Sequence, residues 1–193
     1  MEYPYALNVV RQAFAILGQS SRPNVVDDEQ DNPTFRDCSM LYEGIRKAII
    51  ACHPWNFARC IQPVTSASAN NGQYITIIPG DCVRVLSLLG ERGEEIERTR
   101  SGNYLYSETP AATLVYIRDE EDPACWDEWA RKALVHRLAA DFSRIVKGSI
   151  QERQLQEDAY NLALAEAKRL NSQEAYVNTR KSYADDLFEG RVR

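Results

Sequence analysis

The chain has no apolar run of the roughly 18 residues that a membrane crossing needs, so no membrane contact is expected. Histidine is scarce, with only His53 and His136. The five cysteines, Cys38, Cys52, Cys60, Cys82 and Cys125, contain no C-x-x-C pair. Zinc and thioredoxin-like spacings are therefore excluded, and buried free thiols are the expected state. No metal and no cofactor is expected. A basic excess is lacking too, because 23 Lys and Arg stand against 28 Asp and Glu, for a net charge of -5. A dedicated nucleic-acid binder normally carries a basic footprint. Here Arg131, Lys132, Arg137, Arg144 and Lys147 are diluted by Asp127, Glu128 and Asp141. The opening stretch "MEYPYALNVV" has no basic lead of the secretory kind, which sets the expectation of a cytoplasmic protein.

What is present is the composition of a folded chain, 44% hydrophobic and 26% charged over 193 residues. That is enough for one ordinary core with a smaller insertion. Leu7, Val10, Phe14 and Leu17 recur at helical spacing, and Gly18 is placed to cap. The polar stretch at 19–32 reads as a loop. Asn32 and Pro33 open a second helix, whose apolar stripe runs from Phe35 to Cys52. Asp122 and Pro123 repeat the cap-plus-proline signal before a third, with Trp126, Trp129, Leu134, Leu138 and Phe142 on a broad stripe. Ser149 to Glu152 has capping-box spacing and starts a fourth helix ending near Leu170. Its stripe takes in Leu155, Ala159, Leu162, Ala163, Ala167 and Leu170.

Between the second and third helices the pattern changes. "QYITII", "CVRVLSLL", "NYLYSE" and "ATLVYIR" are rich in β-branched and aromatic residues. Turn chemistry in "NNG", "PGD", "GERG" and "SGN" separates them. Four or five short antiparallel strands are expected. The fold class expected is mainly α with a small antiparallel β insert, an antiparallel four-helix bundle interrupted by a short-stranded sheet, plus an extended C-terminal arm. The bundle would take residues 1–57 and 119–171, the insert 58–118 and the arm 172–193. In the arm Tyr176, Val177, Tyr183, Leu187 and Phe188 stand among charges, as spaced anchors for docking onto another protein.

The stretch "CHPWNFAR", Cys52 to Arg59, marks the exit from the second helix. Pro54 disfavours helix at His53. Trp55 and Phe57, two apart, would then face one side of an extended exit and clamp the root of the sheet. The indole N–H of Trp55 needs one acceptor there. The expected role is structural.

The order of these motifs resembles the tail tubular protein A family, the head-to-tail adaptors of short-tailed bacteriophages. In that family a tryptophan-phenylalanine pair closes a helix, a proline-and-aspartate turn leads into the sheet, and a D-x-P-like step begins the long helix. The matching positions are Trp55 and Phe57, Pro79 and Asp81, and Asp122 and Pro123, within a stretch from Phe35 to Lys168. The resemblance implies a structural virion protein of the tail, assembled in the host bacterial cytoplasm. It implies a twelvefold ring of copies between the portal protein and a tail nozzle (tail tubular protein B-like). DNA would pass through the lumen without sequence-specific binding. The 172–193 arm lies outside the matching stretch; its spaced anchors set the expectation that it docks on the portal.

The alternative is a cell-wall-degrading tail protein, a peptidoglycan hydrolase. Glycoside hydrolysis needs two carboxylates about 5 to 10 Å apart, one with a raised pKa. The available pairs, Glu94 with Glu95 and Glu120 with Glu121, are adjacent residues in turn-like stretches. No catalytic residue is expected, and the protein is read as a non-enzyme.

Overall fold

The computed structural model describes residues 6–18, 33–68 and 72–189; the expected loop at 19–32 lies outside them. Helix α1 spans Ala6–Ile16 and α2 spans Pro33–Ala51. Seven strands follow: β1 Arg59–Pro63, β2 Ala67–Ser68, β3 Tyr74–Ile77, β4 Cys82–Leu89, β5 Thr99–Ser101, β6 Tyr104–Ser107 and β7 Thr113–Arg118. A 3-10 turn at Pro123–Cys125 precedes α3, Glu128–Val146, and α4, Ile150–Glu189. The chain divides into two compact units, Met1–Arg46 with Asp122–Arg193, and Lys47–Glu121. The division falls before Lys47, so Trp55 and Phe57 belong to the strand-rich unit, not to the end of a helical unit at residue 57.

The expected bundle with a small insert is overturned. Among the described residues, seven strands form two antiparallel sheets beside the four helices. One sheet has the order β1-β7-β4 and the other β2-β3-β6-β5. β3, β4, β6 and β7 stand where the apolar, β-branched runs are. The three further strands carry weak signals for physical reasons. β1 ends in Pro63 and is exposed along most of its length, which suits the sheet edge it forms, since proline cannot donate to a ladder. β2 and β5 are edges of two and three residues. Short edges of this kind resist pairing with other chains. Ile78, Leu88, Ile96, Leu105, Ala111, Leu114 and Tyr116 make one core from both sheets.

In the helical unit, α3 packs against both α4 and α1. Phe14 of α1 meets Phe142 of α3 with ring centroids 5.4 Å apart. α3 is buried nearly all round, through Ala130, Ala133, Leu134, Val135, Leu138, Ala139, Ala140, Phe142 and Ser143, with its charged side chains between them. A helix of that kind belongs in the middle of a packed layer. α2 is shared between the units, with Pro33 to Arg46 in this one and its last turn, from Lys47, in the strand-rich one.

Gly148, at φ 63°, turns the chain between α3 and α4 and donates its N–H to the Ser143 carbonyl at 2.9 Å. Ser149 then caps α4, its Oγ accepting from Glu152 N at 3.2 Å. The helix does not end near Leu170. It runs 40 residues to Glu189, so the expected extended arm is the second half of a continuous helix. Cysteine burial also differs from expectation: Cys60 and Cys82 are half-buried, while Cys52 and Cys125 are exposed.

Candidate functional site

The junction after α2 is a turn, not an extended exit. Ala58 N bonds to the Trp55 carbonyl and Arg59 N to the Asn56 carbonyl, both at 3.3 Å. Trp55 is fully buried, and its Nε1 donates to the Ile49 carbonyl at 2.9 Å. That carbonyl lies in the last turn of α2, where i+4 donors run out, and it also accepts Cys52 N at 3.3 Å. The indole therefore closes the helix and satisfies its own N–H together. His53 meets the Trp55 ring edge-on at 4.7 Å, and Phe57 stacks on it at 5.6 Å. Three aromatic rings, each two residues from the next, are thus gathered by one turn.

Asp81 sits in the turn that the "PGD" stretch makes, where Cys82 N bonds to the Pro79 carbonyl at 3.1 Å. Its own carbonyl accepts Asp119 N at 2.7 Å, which ties the entry of β4 to the exit of β7. The buried Tyr116 hydroxyl has two acceptors for its one proton, Gln62 Oε1 at 3.1 Å and Asp81 Oδ1 at 3.2 Å. Burial first, then Cys60 and the Asp81 carboxylate, hold this phenol above its ordinary range. Sequence reasoning singled out Asp81 and missed Tyr116. Alternation in "ATLVYIR" does put Tyr116 on the inner face with Leu114.

Asp122 caps the 3-10 turn, accepting Ala124 N at 2.8 Å, with Pro123 buried in its first position. The long helix starts later, at Glu128, because Trp126 is extended and Asp127 is the N-cap. The Asp122–Pro123 step therefore opens a one-turn prelude to the helix. Burial, followed by the nearby Glu174 carboxylate, raises the Asp127 carboxyl above its ordinary value.

Among the described residues no group of three or more His, Cys, Asp or Glu could hold a metal ion, and no helix is long and apolar enough to cross a membrane. An open groove of about 930 Å³ lies in the strand-rich unit, bordered by Arg84, Glu94, Glu97, Arg100 and Glu108. Two of its carboxylates are engaged locally. Glu94 accepts Arg92 N at 3.0 Å, and Glu95 pairs with Arg98 at 3.5 Å. Glu120 pairs with Arg118.

No family model and no curated protein matches this chain.

The docking residues Tyr176, Val177, Tyr183, Leu187 and Phe188 fall on the helical backbone of α4; their side chains lie outside the described residues. α4 runs antiparallel to α3, since His136 meets Gln156, Arg137 lies over Tyr160 and Asp127 lies near Glu174. The level of Glu174 is thus the start of α3. The fifteen residues from Ala175 to Glu189 continue past it, for about 22 Å at 1.5 Å per residue. The buried line of α4 is Gln156, Ala163, Ala167 and Asn171, whereas Leu155 and Leu162 are 60% and 74% exposed. The single stripe expected from sequence is therefore two lines, only one of which belongs to the core.

Proposed function

We propose that this protein is a structural head-to-tail adaptor of a short-tailed bacteriophage. It acts as a ring of copies between the portal and the tail nozzle, with DNA passing through the lumen. The observation that carries the reading is the overhang of α4. Fifteen helical residues run past the start of α3 and carry Tyr176, Val177, Tyr183, Leu187 and Phe188. Isolated helical stretches of this length are marginal in water, and most helical stability comes from packing an apolar face. An amphipathic helix laid into an apolar groove of the portal meets that requirement. The helix, strand-rich segment, helix order and the turn-centred roles of Trp55, Asp81 and Asp122 support the same reading. A net charge of -5 suits a lumen that DNA slides through, because tight binding requires phosphate neutralisation. A ring also needs two different matching faces on each copy, and the chain offers two structurally different units.

Mixing the protein with its cognate portal and imaging by electron microscopy tests the reading. Rings seated on the portal are expected. A folded protein that leaves the portal bare overturns it.

A further inference from the structure

α4 carries two lines of residues side by side. The buried one, Gln156, Ala163, Ala167 and Asn171, faces α3, where His136 Nδ1 and Gln156 Oε1 are 2.9 Å apart. The other lies one residue away, about 100° round the helix, and begins with the exposed Leu155 and Leu162. Single surface leucines are ordinary, but leucines seven apart mark a seam. Continued by sevens, the line passes through Arg169, Tyr176 and Tyr183. Because the backbone stays helical to Glu189, Val177, Ala184, Leu187 and Phe188 fall within the same face, about 140° wide. The line is apolar toward both ends and polar in the middle. Its charges are also ordered: Asp158 and Glu166 come first, Arg169 and Arg180 later. Asp158 accepts from the neutral amide of Gln154 at 3.1 Å, so no cation cancels its charge in that bond.

We infer that this face is covered by α4 of a second copy, running antiparallel about a two-fold axis at Arg169. The acidic half of each helix then lies along the basic half of the other. Leu155 falls opposite Tyr183 of the second copy, Leu162 opposite Tyr176, and Asp158 opposite Arg180. At the axis the two Arg169 positions meet. Each guanidinium is already held by its own Glu166, Nη2 to Oε1 at 2.6 Å, so four alternating charges meet there instead of two bare cations. A parallel pair would set Asp158 against Asp158 and Arg180 against Arg180, which like-charge repulsion disfavours. The antiparallel pair is isologous and closes at two copies. The pairing does not rest on the adaptor reading. Where both hold, the portal displaces the second copy from the stretch between Tyr176 and Phe188, and pairing keeps that stretch covered until then.

Sedimentation velocity on the full chain over about 1–50 μM tests the pairing. The expected species has about twice the 22.0 kDa chain mass. Leu162→Glu is expected to weaken association by about 100-fold or more, because a symmetric pair loses each leucine contact twice. Leu155→Glu provides the same test at an independent position if Leu162→Glu does not fold. Asp158→Arg alone is expected to weaken the dimer about 10-fold, and adding Arg180→Asp to restore it. A wild-type chain that stays monomeric throughout overturns the inference, as does a dimer indifferent to both leucine changes. A dimer whose Asp158→Arg defect Arg180→Asp does not rescue overturns the antiparallel register.

Discussion

Helices α3 and α4 are neighbours, yet they use apolar residues in opposite ways. α3 has 19 residues and buries nine of them, from Ala130 to Ser143, around nearly its whole circumference. α4 has 40 residues, and its buried line is Gln156, Ala163, Ala167 and Asn171, two of them polar and two small. Its large leucines at 155 and 162 point away from that line into solvent. α3 is therefore a core element held by its own chain. α4 is fastened by a seam whose fully buried side chains are small or polar, and Leu155 and Leu162 lie outside that seam. Apolar periodicity in a sequence reports that a face is to be covered, not which chain covers it.

The largest expected effect is on the α3 side of the comparison. Phe142→Ala removes a fully buried ring packed at a tilt against Phe14 and should cost about 3–5 kcal/mol, read by chemical denaturation. Leu162→Ala, measured at dilutions where the chain is monomeric, should stay within about 0.5 kcal/mol of wild type. Comparable losses at the two positions would erase the distinction between the helices.

A smaller effect separates the two lines within α4. Ala167 is 1% exposed, so Ala167→Leu forces three further heavy atoms into the seam against α3 and should cost about 1–3 kcal/mol. Ala165→Leu, two residues away on the exposed side, should be close to neutral. Equal tolerance at both positions would place the seam elsewhere.

The smallest effect concerns the level at which the two helices part. Asp127 has a raised carboxyl pKa from burial and the Glu174 carboxylate. A raised acid binds more protons folded than unfolded between its ordinary and its folded value, so stability falls as pH rises through that window. Asp127→Asn, which removes the charge at nearly the same size and disturbs no side-chain capping bond, should therefore raise the melting temperature slightly at pH 7. The gain should vanish once the pH drops below the ordinary aspartate range. A loss of stability at pH 7 would show that the charge helps the start of α3 more than Glu174 opposes it.

Much of this was legible in the residues. β-branched runs located β3, β4, β6 and β7, and turn chemistry at "PGD" placed Asp81 at the entry to β4. Edge strands were not legible, since β1 is exposed and ends in proline and β2 and β5 have almost no length. Trp55 was readable as a buried ring that needs an acceptor. The acceptor itself, the Ile49 carbonyl at the end of α2, was not, because it depends on how the chain turns at Pro54. The two lines of α4 merged in sequence because Leu155 and Gln156, or Leu162 and Ala163, are adjacent residues. Only the helix axis, set by α3, separates them. The length of α4 was missed because its later apolar residues are sparse, and sparse spacing reads as an arm until the backbone puts them on a helix.

The most direct test of the adaptor account compares the full chain with one lacking Ser172 to Arg193 by imaging with the cognate portal, each checked by thermal unfolding. The deletion keeps Gln156, Ala163, Ala167 and Asn171, the buried line that holds α4 to α3. The account predicts rings on the portal for the full chain, and none for a shortened chain that melts within a few degrees of it. Rings formed by the shortened chain, or a bare portal in the presence of the folded full chain, would contradict it.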